Sequence, residues 1–221
     1  MALISRPPAV HAYERIKESI LDLRYRPGDK LSEARLADEL SLGRSPIRAA
    51  LARLEGEGWI RVLPQSGTFV RKLSRQEVTD IAELRLLLEA HAAQRAAERI
   101  GADDLRMLRA EFELLKEKGV DGHFDEFLRL DDRFHTTVYR VAGNQRVTDI
   151  LENLRDQIHW IRVTNAILPG RVAESLNEMD CVLSALERHD AAEADKAMRR
   201  HIGNIAQSFA AIAVAKGEAD D

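Results

Sequence analysis

The interval "SLG" at 41–43 constrains the fold most, because it separates two predicted helices by only three residues. The preceding segment, "EARLADEL" (33–40), repeats apolar residues with helical spacing. The following segment, "RSPIRAALARLEGEG" (44–58), does the same, with Ser45 and Pro46 at positions typical of a cap and a first-turn proline and with glycines at its end. Two helices joined by so short a turn predict a helix-turn-helix.

The segments on either side extend this motif. A helical face runs from Val10 to Leu23, and Ser32 is a suitable N-cap for the first helix of the motif. After the motif, "WIRVL" and "TFV" are short β-type runs around "PQSG" (64–67), which predicts a hairpin. The first 73 residues therefore predict a winged helix-turn-helix with a small β-hairpin wing.

The remaining residues, 74–221, predict an all-helical domain. Ser74 is followed three residues later by Glu77, a capping-box pattern at the proposed boundary. Breaks at Gly, Asn, Pro or Asp divide the rest into six helices. These are predicted at 75–99, 103–118, 122–142, 145–167, 171–188 and 191–215. Six helices with short loops predict an antiparallel bundle, so the whole chain is expected to be mostly α.

Charge is distributed unevenly between the two predicted domains. Residues 1–73 carry 13 Lys and Arg against 9 Asp and Glu, whereas residues 74–221 carry 20 against 28. A basic N-terminal domain, the head, joined to an acidic C-terminal domain, the body, suggests that only the head binds a polyanion. The single cysteine, Cys181, excludes an internal disulfide, and no apolar stretch is long enough to span a bilayer, so a cytoplasmic protein is expected.

The head carries arginines where DNA contacts would be needed. Arg44 and Arg48 lie four residues apart at the start of the second helix, and an arginine fork can bind guanine O6 and N7. Arg35 lies on the preceding helix, and the turn at Gly67 offers backbone N–H groups to phosphates. These features favour double-stranded DNA as the partner. The alternative is a winged helix that binds protein only, with the arginines on a solvated face.

The body carries polar residues on apolar helical stripes, including two from the stretch "LDDRFH" (130–135). The helix phase directs Asp131 and His135 inward, and a second stripe on the last helix, which runs on to Phe209 and Ile212, includes His201. A single inward histidine is typical of a hydrogen-bonded core residue. An Asp with two His on facing stripes instead suggests a site for Zn, Ni, Mn or Fe.

Two resemblances sharpen these predictions. The segment "GDKLSEARLADELSLGRSPIRAALARLEGEGWIRVLPQSGTFV" (28–70) resembles the DNA-binding domain of GntR-type bacterial transcription regulators. The family's DNA-contacting positions match Arg35, Arg44, Ser45 and Arg48, with Gly67 at the wing tip. Two positions depart from the family: Gly43 replaces a Ser that would cap the helix, and Ala49 replaces a Glu.

Residues 77–216 resemble the FCD effector-binding domain of the FadR subfamily, and six helices favour its VanR-type branch. The stretches that carry the resemblance are "ELRLLLEAHAAQRAA" (83–97), "LDDRFHTTVYRVAGN" (130–144) and "LSALERHDAAEADKAMRRHI" (183–202). In many domains of that family an Asp and three His hold a divalent cation below a small organic acid. Asp131, His135 and His201 match three of these positions, whereas Met179 occupies the fourth.

The departure at Met179 leaves two possibilities. A divalent metal (Zn, Ni or Mn) binds through three protein ligands with reduced affinity, or the site is metal-free and the histidines hold the effector. Arg85, which matches a family arginine near the ligand, and the pair His159 and Arg162 are candidates for binding an effector carboxylate.

The expected function is a ligand-responsive, homodimeric regulator, acting as a repressor on a pseudo-palindromic operator, without catalytic residues and without a membrane partner. A metal-dependent enzyme built on the bundle and the protein-binding adaptor are the alternatives.

Overall fold

The structure is a computed structural model that describes residues 7–166 and 168–215, with side chains described up to residue 208. Its described residues form ten helices and three strands. In chain order they are α1 (Pro8–Leu21), β1 (Lys30–Leu31), α2 (Glu33–Leu40), α3 (Arg44–Gly56), β2 (Ile60–Leu63), β3 (Gly67–Val70), α4 (Arg75–Ala97), α5 (Ala102–Lys118), α6 (Phe124–Ala142), α7 (Gln145–Asn153), α8 (Arg155–Ala166), α9 (Arg171–Glu187) and α10 (Ala191–Ala215). The mostly helical fold that the sequence predicts is confirmed.

The chain divides into two compact units, Met1–Leu73 and Ser74–Asp221. In the first unit, the predicted hairpin of β2 and β3 is present, with Leu63 paired with Gly67 across the turn. The short strand β1 adds to the other edge of β3, so the wing is a three-stranded antiparallel sheet in the order β1-β3-β2. Strand β1 has only two residues and is too short for a sequence pattern to reveal.

The helix-turn-helix is formed by α2 and α3. Ser32 caps α2 by accepting a hydrogen bond from the Arg35 amide, and α2 ends at Ser41, whose φ of 53° turns the chain. The predicted cap at Ser45 is wrong: α3 begins at Arg44 after Gly43, which has no side chain to bond with, so Ser45 lies in the first turn. The inner face of α3 packs on α1 and supplies the buried residues Ile47, Ala50, Leu51 and Leu54.

Among its described residues, the second unit contains seven helices rather than the six predicted. The helix expected at 145–167 is interrupted at Leu154, and residue 167 itself lies outside the described residues. No Gly or Pro marks this break. It directs Leu151 of α7 and Ile158 of α8 separately into the core, where both are buried. The count of six helices, from which the VanR-type branch was predicted, is therefore not the count of this fold.

The core of the second unit lies between α4, α5, α6, α9 and α10. Phe112 and Phe134 meet edge to face there, with ring centroids 5.8 Å apart. The capping box of Ser74 and Glu77 at the start of α4 is present. The polar residues described below lie on the inner faces of α4, α6, α8, α9 and α10. No helix among the described residues is long and apolar enough to cross a membrane.

Candidate functional site

The exposed face of the helix-turn-helix carries the predicted DNA-binding residues. Arg44, Ser45 and Arg48 are exposed on the first two turns of α3, and Arg35 is exposed on α2. The buried face of α3 lies on the opposite side of the motif, so the four side chains project from one rigid motif. This arrangement suits insertion of α3 into a major groove.

Two of these arginines are oriented by carboxylates of the same unit. Arg48 donates from Nε to Glu33 Oε2 at 2.8 Å, and Arg35 donates from Nε to Glu39 Oε1 at 2.6 Å. Tyr25 donates its hydroxyl to Glu39, and burial together with this carboxylate raises the pKa of Tyr25 to about 12. The Nε atoms of Arg35 and Arg48 are thus hydrogen-bonded to carboxylates of the protein itself.

The wing turn depends on a glycine. Gly67 has a φ of +120°, a conformation that L side chains rarely adopt, and an added Cβ would lie 2.7 Å from Lys30 Cε. The predicted wing-tip position is therefore one that only glycine fits without movement of Lys30. Its backbone N–H is a donor of the kind that forms hydrogen bonds to phosphate oxygens.

In the second unit, Asp131, His135 and His201 come together as the helix phases predict. All three are buried, and one ligand atom of each lies within 4.8 Å of the others. His135 Nε2 lies 3.8 Å from Asp131 Oδ1, and the centroids of the two imidazole rings are 5.3 Å apart. Of the stripe predicted on the last helix, Phe209 and Ile212 lie outside the residues whose side chains are described.

Both imidazoles are held by their Nδ1 atoms. His135 Nδ1 lies 2.6 Å from Glu89 Oε2, and His201 Nδ1 lies 2.9 Å from Glu178 Oε2. The Nε2 atoms of both rings are buried and have no hydrogen-bond partner among the described residues. An imidazole whose Nδ1 is held by a carboxylate and whose Nε2 is free has the arrangement of a metal ligand. The site therefore fits a divalent cation with two nitrogen ligands and one oxygen ligand.

Each of the three carboxylates is itself paired with a buried arginine. Arg85 donates from Nε to Glu89 at 2.5 Å, and Arg162 Nη1 lies 2.8 Å from Asp131 Oδ2. Arg171 forms a bidentate pair with Glu178, with both contacts at 2.8 Å. Arg85 and Arg162, both predicted as effector contacts, thus lie in the site, whereas His159, predicted with them, is only half-buried.

The local charges shift several pKa values. Burial alone would raise the pKa of Glu89, but Arg85, His135 and Arg162 together outweigh it and hold that pKa well below the usual range. Burial likewise opposes ionisation of Glu178, but hydrogen bonds from Arg171, His201 and Asn204 lower its pKa to about 2. Burial and the positive Arg162 lower the pKa of His135 to about 4. The site thus holds ionised carboxylates around a neutral His135.

Met179, the residue at the expected fourth ligand position, is fully buried within the apolar core. Among the described residues, the possible metal-binding group contains no fourth His, Cys, Asp or Glu. Asp180 offers no replacement, because it pairs with Lys116 at 2.6 Å and with Arg109 on the surface. The divalent site that these residues can form therefore leaves coordination positions open to water or to another ligand.

Sequence reasoning missed Glu89, Glu178 and Arg171. Glu89 lies one turn after Arg85 on the same buried face, a pattern that would have marked an internal ion pair. Glu178 lies directly before Met179, outside the apolar stripe of α9 that the sequence predicts. Its partner Arg171 lies two turns earlier on α9, so the same helical spacing would have exposed both.

Comparison with known proteins assigns both units to described families. The profile described as "FCD domain" matches residues 80–204, and the profile "Bacterial regulatory proteins, gntR family" matches residues 8–70. The chain is similar to the HTH-type transcriptional repressor RspR of Escherichia coli, with 26% identity over 92% of this chain and 90% of that protein.

Solved structures show the same fold. Escherichia coli McbR/YncC matches with a TM-score of 0.67 and 21% identity over 97% of this chain and all (100%) of that one. A putative GntR regulator from Rhodococcus sp. RHA1 matches with a TM-score of 0.72 and 17% identity over 92% of this chain and 98% of that one.

A gntR-type winged helix-turn-helix followed by an FCD domain defines a class of ligand-responsive transcription regulators. The chain belongs to the GntR family, in the FadR-type group that carries an FCD domain.

Proposed function

We propose that this regulator is a homodimeric repressor whose affinity for operator DNA changes when its second unit binds a small carboxylic acid. In this proposal residues 1–73 bind DNA, residues 74–221 bind the effector and dimerise, and the protein acts in the cytoplasm, where the operator lies. The observation that carries it is the combination of an exposed arginine face on α2 and α3 with a buried Asp131, His135 and His201 group. The imidazole Nε2 atoms of this group have no hydrogen-bond partner in the part of the chain that the structure describes.

The DNA-binding role is supported by residue placement. Arg44 and Arg48 occupy the recognition helix, Arg35 the helix before it, and Gly67 the wing turn. A two-fold homodimer would present two such faces to a pseudo-palindrome. Fluorescence anisotropy with the DNA upstream of the protein's own gene tests this. We expect tight binding that weakens steeply with salt, and sedimentation velocity should show a dimer.

A matched pair of variants separates DNA binding from a protein-binding adaptor. Arg44→Ala combined with Arg48→Ala should abolish operator binding while the circular dichroism spectrum is unchanged. Arg15→Ala, an exposed arginine on α1 that pairs with Glu18, is the control and should bind as the wild type does. Full operator binding by the double variant would contradict the assignment of these two arginines, and a wild type that binds no operator DNA would support the adaptor instead.

The effector role is supported by the buried site. Asp131, His135 and His201 would hold a Zn²⁺, Ni²⁺ or Mn²⁺ ion with positions left open, because Met179 is a soft, neutral thioether. Arg162, with Arg85 nearby, offers a guanidinium to the carboxylate of an acid. Elemental analysis of the purified protein measures the metal content. His201→Asn should lower that content, whereas equal content in both proteins would contradict the ligand assignment.

We infer that the protein is not an enzyme, because its relatives are named transcriptional regulators or repressors. Turnover of a panel of small acids by the metal-loaded protein would contradict this inference.

A further inference from the structure

The buried acidic, basic and imidazole side chains of the second unit form one network. Every Asp, Glu, Lys, Arg and His that is buried among the described residues belongs to it. The members are Arg85, Glu89, Asp131, His135, Arg162, Arg171, Glu178 and His201. Three guanidinium groups and three carboxylates cancel, so the network has no net charge when both imidazoles are neutral, as metal ligation requires.

The nearest charges outside the network do not alter this balance. Asp132 is paired with Arg155 at 2.8 Å, so these two charges cancel. Glu174 contacts Arg171 but is 67% exposed, and its charge is screened by solvent. The charge inside the protein is therefore set by the eight buried residues.

A divalent cation at the site would disturb this neutrality. It would add two positive charges at a place from which water is largely excluded, where an uncompensated charge is strongly unfavourable. Asp131 cannot compensate alone, because its charge is already shared with Arg162, whose Nη1 lies 2.8 Å from Asp131 Oδ2. The cation therefore needs negative charge from a second ligand.

The unused hydrogen-bonding groups of the network also call for an anion. Arg162 Nε and Nη2 are buried without a partner among the described residues, and so is Arg85 Nη2. The Nε and Nη2 atoms form one edge of the guanidinium, and that edge matches a carboxylate with two parallel hydrogen bonds. The network thus has spare cationic donors, and an acid that carries two negative charges would satisfy donors and cation together.

We propose that the three buried arginines make metal binding depend on a dianionic co-ligand, so that a divalent cation and a dicarboxylate bind the site as a coupled pair. This inference rests on the proposed metal and effector site and adds the charge class of the effector. Linkage makes the coupling reciprocal: the factor by which the acid tightens metal binding equals the factor by which the metal tightens acid binding.

The experiment is calorimetric titration of Ni²⁺ into the metal-free full-length protein. It is run alone and with an excess of succinate, glutarate or adipate, and then with the half-amides of these acids, which have nearly the same shape but one charge. The concentration of free Ni²⁺ is corrected for chelation by the acid in solution. At least one dicarboxylate should lower the Kd for Ni²⁺ by about tenfold or more, and its half-amide should change it about twofold or less.

A variant tests whether the positive charge of the buried arginines is what makes Ni²⁺ binding depend on the dicarboxylate. Arg162→Gln makes the network negative by one charge, so Ni²⁺ alone should bind more tightly than to the wild type, and the gain from the dicarboxylate should shrink. Loss of packing alone would weaken Ni²⁺ binding instead. Arg133→Gln is the matched control, because Arg133 lies on α6, is 51% exposed and pairs with Glu111 on the surface.

The outcomes separate this inference from the proposed function. Ni²⁺ affinity that is unchanged by every dicarboxylate, or changed equally by the half-amides, overturns the coupling and leaves the metal site standing. Failure of Ni²⁺ to bind with or without acid overturns the metal site and the coupling together. If Arg162→Gln does not fold, the acids are titrated into wild-type protein with and without Ni²⁺. A dicarboxylate that binds about tenfold or more tightly when Ni²⁺ is present, beside a half-amide that does not, supports the coupling, and acid affinity that Ni²⁺ leaves unchanged refutes it.

Discussion

The metal-free second unit should lose stability as the pH falls from 7.5 to 5, because His135 is held neutral. In the unfolded chain a histidine has a pKa of about 6.5, whereas in the folded protein burial and Arg162 lower the pKa of His135 to about 4. The folded pKa is depressed, so the unfolded chain binds more protons at intermediate pH. The stabilisation is complete above the unfolded pKa and is lost as pH falls through the folded pKa.

The size of the effect follows from these two pKa values. Between pH 7.5 and 5 the free energy of unfolding should fall by about 2 kcal/mol from this residue alone. The ionised carboxylates contribute little in this window, because their unfolded pKa values lie near 4. The loss continues at lower pH, where Glu178, with a folded pKa of about 2, also becomes protonated on unfolding.

Trp160 provides the assay, because it is buried in α8 within the second unit. Urea denaturation followed by its fluorescence, in a Trp59→Phe background with chelator present, reports on this unit alone. His135→Asn retains a side-chain amide near Nδ1 and removes the titration, so its stability should be almost flat between pH 7.5 and 5. His91→Asn, which changes an exposed histidine on α4, should keep the wild-type slope.

Two results would refute this reasoning. Equal stability of the wild type at pH 7.5 and 5 would show that His135 is not held neutral. The same slope in wild type and His135→Asn would assign the loss to another group.

Three further predictions follow from named contacts. Glu33→Gln frees Arg48 Nε and removes a negative charge from the DNA-binding face. In anisotropy titrations this variant should bind scrambled DNA more tightly than the wild type does, so the ratio of its affinities for operator and scrambled DNA should fall. An unchanged ratio would contradict this prediction. Arg109→Gln removes the hydrogen bonds that join α5 to Glu187 of α9 and should lower the urea-derived stability by about 1 to 2 kcal/mol. Arg106→Gln, at a largely exposed pair with Asp103, should change it by less than about 0.5 kcal/mol. Glu178→Gln weakens the orientation of a ligating imidazole and should raise the Kd for Ni²⁺ by about 10- to 100-fold at unchanged stoichiometry; an unchanged Kd would show that this carboxylate does not position the ring.

Local patterns predicted much of the fold. The short break at 41–43 and the turn residues around Gly67 were sufficient for a winged helix-turn-helix, because turn chemistry and helical periodicity act over a few residues. The break of α7 and α8 at Leu154 was not predictable in this way. No Gly or Pro lies there, and the bend serves the packing of residues on opposite sides of it.

Helical periodicity was enough to predict which side chains of the site face inward. Asp131 and His135, one turn apart on an amphipathic helix, and His201 on another apolar stripe followed from helical phase alone. Tertiary structure decided what surrounds them. Glu89, Arg162 and Glu178 come from three other helices, and only the packing of the bundle brings their charges within hydrogen-bond distance of the triad. Periodicity fixes the direction in which one helix presents a residue, whereas partners and net charge depend on how separate helices meet.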